Sequence, residues 1–145
     1  SMHSDSELLL MFAARNDHIH HKIIPALEKG DWVLSDRFTD ASYAYQGGGR
    51  GLDVERIEHL EHWVLKGFTP DMTLLLDIPV GLGMSRVESR GEKDRIELEE
   101  LDFFERVRQA YIDRSEKYPQ RIKLIDSSKS REHTSAQIEK ILEIL

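Results

Sequence analysis

Asp36-Arg37-Phe38-Thr39-Asp40-Ala41-Ser42-Tyr43-Ala44-Tyr45-Gln46-Gly47-Gly48-Gly49-Arg50-Gly51 follows directly on the apolar run Trp32-Val33-Leu34-Ser35. That run reads as a buried strand. A strand ending on Asp-Arg delivers both charges to the mouth of a sheet, where open α/β folds bind their ligands. An arginine there grips phosphate oxygens through two parallel hydrogen bonds, and an aspartate holds a cation, a water or the arginine itself. The plainer reading of Asp36 and Arg37 is an internal salt bridge at a strand end. Ser42, Tyr43, Tyr45 and Gln46 add hydroxyls, rings and an amide. A glutamine amide both donates to and accepts from a pyrimidine edge, although an ordinary polar loop with half-buried tyrosines would carry the same residues. Gly47-Gly48-Gly49 is not a Walker A loop, since no Gly-Lys-Ser or Gly-Lys-Thr follows. The cluster is expected to be irregular, its glycines permitting a tight turn.

Outward from this stretch the chain alternates helix and strand. Ser4 and Glu7 are spaced as a capping box for a helix with Leu8, Phe12, Ile19, Ile23 and Leu27 on one face, and Pro25 falls late in it. A helix from about Asp53 to Lys66 carries Ile57, Leu60 and Val64 and ends at Gly67. Met72 to Ile78 is a nearly continuous apolar run, as in a parallel strand buried on both faces. Pro79 opens a helix whose far end is crowded with charge. Asp102 leads into another, with Phe104, Val107 and Tyr111 inward. Arg121 to Asp126 is a third strand, Ser127 to Ser130 a loop, and a last helix carries Ile138, Ile141, Leu142 and Leu145. The alternation predicts an α/β fold with a parallel sheet in a single domain, 1–145, without internal repeats.

The bulk numbers narrow the function. The chain has 145 residues, 39% of them hydrophobic, enough for one real core. Its net charge is −7, with 27 acids against 20 bases, which argues against a nucleic-acid partner. It has no cysteine, consistent with a reducing compartment. No run is long and apolar enough for a membrane span, and no signal-peptide pattern opens the chain. The expected location is the cytoplasm, with no membrane partner.

Two charge features remain. Arg15 lies on the same helix face as Phe12 and Ile19. It reads either as an arginine that snorkels or pairs with a carboxylate, or as part of a ring-binding face where Phe12 stacks a ligand and Arg15 donates to its edge. Arg86, Arg90, Lys93 and Arg95 alternate with Glu88, Glu92, Asp94 and Glu97. They form either a solvated, salt-bridged helix end or a lid, about 85–97, whose arginines close on transferring phosphates. His18 with His21 and His59 with His62 share helix faces, but without a third ligand they read as surface histidines, and no metal-ligating set is expected.

Taken in order, Leu9-Leu10-Met11-Phe12-Ala13-Ala14-Arg15, Asp36-Arg37-Phe38, the run Ser42 to Gly51, Pro70-Asp71-Met72-Thr73-Leu74-Leu75-Leu76-Asp77 and Ser89-Arg90-Gly91-Glu92-Lys93-Asp94-Arg95-Ile96-Glu97 resemble the bacterial thymidylate kinase family over nearly the whole chain. The resemblance implies a P-loop NTPase-type, three-layer parallel sheet flanked by helices, and transfer of the ATP γ-phosphate to thymidine monophosphate (dTMP) with Mg²⁺. It implies that Arg37 holds the acceptor phosphate with Asp36 beside it, near the metal and the transferred group. Arg15 and Gln46 would bond to thymine, Ser42 would lie at its edge and Tyr45 on the deoxyribose. Arg90 would be the catalytic lid arginine that reaches the phosphates, Arg86 would lie nearer ATP, and Ser127, Ser128 and Lys129 along the adenine. Many family members place the stacking phenylalanine four residues before the arginine, which is Met11 here, whereas Phe12 is three before. The family also forms homodimers. Its opening strand, Walker A loop and Arg-Glu-Pro-Gly-like loop have no counterpart in these residues, so the chain is expected to begin about sixty residues into the usual domain, with an incomplete sheet and no activity of its own. Two other readings fit the same residues: a deoxynucleoside kinase, which would favour a nucleoside over a monophosphate, and a non-catalytic binding or dimerisation module built on the first helix.

Overall fold

The computed structural model describes residues 2–88 and 98–144. The chain divides into two compact units, Ser1–Thr69 and Pro70–Leu145.

Unit 1 is helical. Helix α1, Ser4–His18, runs into a π-helical segment, Ile19–Ile23, and then into α2, Ile24–Glu28. Its N-cap is His3, whose ring accepts from the Asp5 amide at 3.2 Å. Ser4 is therefore inside the helix, and the expected capping box does not form. Glu7 turns its carboxylate to other partners, described below. Pro25 falls in the first turn of α2, directly after the π-helical segment.

Helix α3, Thr39–Ser42, continues as a π-helical segment, Tyr43–Gly49. The glycine cluster is thus helical rather than irregular. The Arg50 amide donates five residues back to the Tyr45 carbonyl at 2.9 Å, the widened turn that often marks functional sites. A Cβ at Gly47 would come within 3.3 Å of the Ile57 side chain, a tight contact. Helix α4, Val54–Leu65, is capped by Asp53, which accepts from the Glu55 amide at 3.0 Å, and ends on Lys66 and Gly67, both at positive φ. Leu8, Phe12, Ile19, Ile23, Tyr43, Ile57 and Leu65 form the core of this unit.

Residues 32–35 are not a strand. Trp32 is 85% exposed and Leu34 98% exposed, and no described strand pairs with the segment. An extended run becomes a strand only when a neighbour takes up its backbone groups, and composition alone does not supply one. Leu27, expected on the buried stripe, is exposed, as is Trp63 on α4 at 72%.

Unit 2 contains a parallel pair, β1 (Thr73–Asp77) and β2 (Ile122–Asp126), with Thr73 opposite Ile122 and Asp77 opposite Asp126. Helix α5, Val80–Glu88, and helix α6, Leu98–Lys117, lie between the strands in sequence, and α7, Arg131–Leu142, follows them. This is a parallel sheet flanked by helices, limited to two strands among the described residues. With one described neighbour, β1 is half-buried rather than covered on both faces, and its Leu76 is exposed. Helix α6 begins before Asp102. Val107 is buried, whereas Phe104 points outward against Phe103, edge to face. No described helix is long and apolar enough to cross a membrane.

Ile57 has no exposed surface, so Ile57→Ala is expected to destabilise unit 1 by about 2–5 kcal/mol. Trp63→Ala, on the exposed face of the same helix, should change stability by about 0.5 kcal/mol or less. Urea unfolding followed by far-ultraviolet circular dichroism measures both, and similar losses for the two would contradict the packing described here.

Candidate acceptor and donor sites

In unit 1 two polar bridges join α1 to the α3–π-helix segment, which runs antiparallel to it at these positions. At one end the half-buried Arg15 guanidinium donates to the Ser42 hydroxyl at 2.7 Å and to the Phe38 carbonyl at 2.9 Å, and it lies 5.2 Å from the Phe12 ring centroid. At the other, Gln46 donates its Nε2 to a Glu7 carboxylate oxygen at 2.8 Å. The second Glu7 oxygen faces Arg50 at 3.7 Å. Gln46 is only 5% exposed, and its Oε1 is buried without a hydrogen-bond partner. An orphaned acceptor of this kind costs about 1–3 kcal/mol until a donor reaches it.

Glu7, Met11 and Arg15 fall four residues apart and share one face of α1. Phe12 is rotated off that face into the core, 1% exposed, while Met11 is 41% exposed. The position between the two bridges is therefore Met11. Sequence reasoning missed Glu7 because its spacing to Ser4 matched a capping box. The signal that could have found it is the four-residue step through Met11 to Arg15.

Asp36 and Arg37 lie on the exposed connection before α3. They end no strand, which corrects the expected placement, yet Arg37 is constrained. Its φ is 63°, a left-handed conformation that costs any residue with a Cβ energy and that clusters at ligand sites. Its guanidinium lies 5.0 Å from the Tyr45 ring centroid, a cation–π contact that joins two of the residues singled out from sequence.

In unit 2 the ends of the two strands are tied together. The Ser127 amide and hydroxyl both donate to the Asp77 carbonyl at 2.8 Å. The half-buried Arg86 guanidinium donates to the carbonyls of Ser127, Ser128 and Lys129 at 2.8, 2.7 and 2.9 Å, so four residues predicted to meet one ligand do come together. Arg108 forms a two-pronged pair with Asp77 at 2.8 and 2.9 Å. The hydrogen bond to Asp77 raises the Arg108 pKa; burial opposes it, and the charges of Asp77 and Glu105 add to the rise. The Asp126 carboxylate accepts from the Ser128 amide at 2.9 Å and from its hydroxyl at 2.5 Å. These two bonds from Ser128 hold its pKa below the usual 3.8. Arg90 and the lid positions 89–97 lie outside the described residues.

Asp126 sets an acid dependence whose sign follows from that lowered pKa. The stabilisation is present above the ordinary carboxylate range and is lost as pH falls below 3.8. Asp126→Asn should flatten the stability profile in that acid range and leave it parallel to wild type near neutrality, measured as melting temperature against pH.

The thymidylate kinase family model matches residues 1–138. The chain is 72% identical over 145 residues to thymidylate kinase of Ruthia magnifica subsp. Calyptogena magnifica, spanning 100% of this chain and 71% of that protein. It is 67% identical over 144 residues to thymidylate kinase of Vesicomyosocius okutanii subsp. Calyptogena okutanii, spanning 99% of this chain and 70% of that protein. The crystal structure of thymidylate kinase from Ehrlichia chaffeensis superposes with a TM-score of 0.78 at 28% identity, covering 99% of this chain and 67% of that one.

Proposed function

The chain belongs to the thymidylate kinase family, and on that premise we propose that unit 1 binds the phosphate acceptor dTMP while the 127–129 loop of unit 2 meets ATP. The observation that carries this reading is a fixed donor on α1 and an unanswered acceptor on the π-helical segment packed against it. Arg15 is held by Ser42 and the Phe38 carbonyl, and the buried Gln46 Oε1 lacks a donor. A thymine edge has the matching pattern, with O4 accepting and N3–H donating. Ser42, whose oxygen accepts a hydrogen bond from Arg15, keeps its own hydroxyl proton for the same edge. Met11, exposed between the bridges, covers the base, and Tyr45 packs on the deoxyribose.

Arg37 takes the acceptor phosphate. Stacking on Tyr45 pre-orders its side chain, so less entropy is lost when phosphate binds. Asp36 is an exposed carboxylate beside it, a hard oxygen donor of the kind that binds Mg²⁺ together with substrate phosphates. When bound, that ion would neutralise phosphate charge. Arg86 orders the 127–129 backbone against which the adenine lies, and Arg90 supplies positive charge to the transferring group.

The donor half is thinner. No Gly-x4-Gly-Lys-Ser/Thr stretch occurs in the 145 residues, so they contain neither that backbone cradle for the ATP phosphates nor its lysine. Phosphoryl transfer depends almost entirely on positioning and electrostatic stabilisation. The 145 residues by themselves are therefore proposed to bind without turnover, 1–145 being a single domain and the enzyme a cytoplasmic homodimer.

Titration calorimetry on the 145-residue chain tests the acceptor reading. It should bind dTMP at least about tenfold more tightly than thymidine, and Arg37→Ala should weaken dTMP by about 10- to 100-fold, the range for a charge-assisted bond. Equal affinity for thymidine and dTMP would favour a deoxynucleoside kinase instead. A coupled assay with ATP and dTMP should give no turnover. Turnover that vanishes in Arg90→Ala would overturn the proposed inactivity.

A further inference from the structure

The Glu7–Gln46 bond does more than join two helices. A primary amide can be turned over by 180° with little change in shape, exchanging its donor and acceptor ends. What decides between the two orientations is the neighbour. Glu7 presents a carboxylate, which only accepts, so the Gln46 Nε2 must face it at 2.8 Å. The carbonyl is thereby turned away from Glu7, and it is this oxygen that is buried and unpartnered. Arg50, 3.7 Å from the other Glu7 oxygen, holds the carboxylate from the far side.

We propose that Glu7 is a positioning residue that sets base specificity: by locking the Gln46 amide it fixes a hydrogen-bond acceptor in the base site and so selects a pyrimidine carrying an imide N–H. This rests on the dTMP-site reading given above. Cytosine, whose N3 is itself an acceptor, meets two lone pairs across the same contact and leaves Gln46 Oε1 unanswered. Sites built to pair a particular polar group reject the analogue lacking it far more strongly than apolar pockets reject a missing methylene.

Glu7→Gln inverts the logic. The Arg50 guanidinium is donor-only and draws the new amide's carbonyl to its own side. The NH₂ group then faces Gln46, whose carbonyl must turn toward it and whose own NH₂ enters the base site. An acceptor becomes a donor, without change in charge on either substrate and with one atom type changed in the protein.

The test is titration of dTMP and dCMP into the wild-type 145-residue chain, Glu7→Gln, Gln46→Ala and the double variant. Wild type should prefer dTMP by about a hundredfold. Glu7→Gln should weaken dTMP about tenfold and narrow the dTMP-to-dCMP ratio by at least as much, at an unchanged melting profile. In the Gln46→Ala background Glu7→Gln should leave the ratio untouched, since it acts only through that amide. A wild-type chain that binds dTMP but whose ratio survives Glu7→Gln overturns this proposal alone, as does a ratio that shifts equally with Gln46 removed. Absence of dTMP binding to folded wild type overturns it together with the dTMP-site reading. Should Glu7→Gln not fold, the Gln46 side-chain amide of wild type decides by nuclear magnetic resonance. One strongly protected Nε2 proton is expected without ligand, and two equally fast-exchanging protons overturn the lock.

Discussion

A guanidinium withdrawn from water must find acceptors, and in unit 1 that demand dictates where residues 38–46 can lie. Arg15 stands on α1 three residues after the buried Phe12, and its guanidinium is half-buried. The Phe38 carbonyl and the Ser42 hydroxyl supply two. Holding both at once fixes the start of α3 against α1, and the helix that follows then carries Gln46 past Glu7. The hydrophobic core of Leu8, Phe12, Ile57 and Tyr43 supplies most of the driving force for packing, but it is non-directional. The two polar bridges supply the register, in the way buried polar pairs can specify one arrangement among several of similar burial.

Unit 2 solves a related problem at the ends of its strands. A parallel pair leaves carbonyls at the carboxyl ends of both strands, and loops that follow must satisfy them. Ser127 answers the Asp77 carbonyl twice, Arg86 gathers three carbonyls of the loop, and the Gln137 amide from α7 pairs with the Asp126 backbone through both its oxygen and its nitrogen. The loop is therefore held by its own Ser127 and by Arg86 of α5, while Gln137 of α7 holds the end of the strand that leads into it.

The elements legible in the sequence were those whose causes are local. Asp53 as a cap, Gly67 as a stop and the β-branched and leucine-rich run at 73–77 each carry their signal within a few residues, and α4, β1 and β2 lie within a residue or two of expectation. The misreadings share a non-local cause. Trp32 to Ser35 has the composition of a strand, but strand formation is decided by a partner that composition cannot name. The glycine cluster looks like a loop, but its packing close to Ile57 depends on a helix that its own residues do not announce. Ser4 and Glu7 match a capping box, but Gln46 and Arg50 compete for the same carboxylate from about forty residues away and prevail. The candidate site was legible to the extent that its chemistry is carried by residue type: Arg15, Ser42 and Gln46 could be singled out one by one, and their grouping is what the fold adds.

The two tryptophans of the chain both sit on the outside, Trp32 on the unpaired segment and Trp63 on the open face of α4. Their indoles are already surrounded by water in the folded chain. Intrinsic emission is therefore red-shifted at the outset and has little further to move on denaturation, so the most convenient optical probe is nearly blind to global unfolding. The same exposure makes each tryptophan a local sensor of its own surroundings: a blue shift at Trp32 would signal that another strand or chain has covered that segment, independently of any change in the cores.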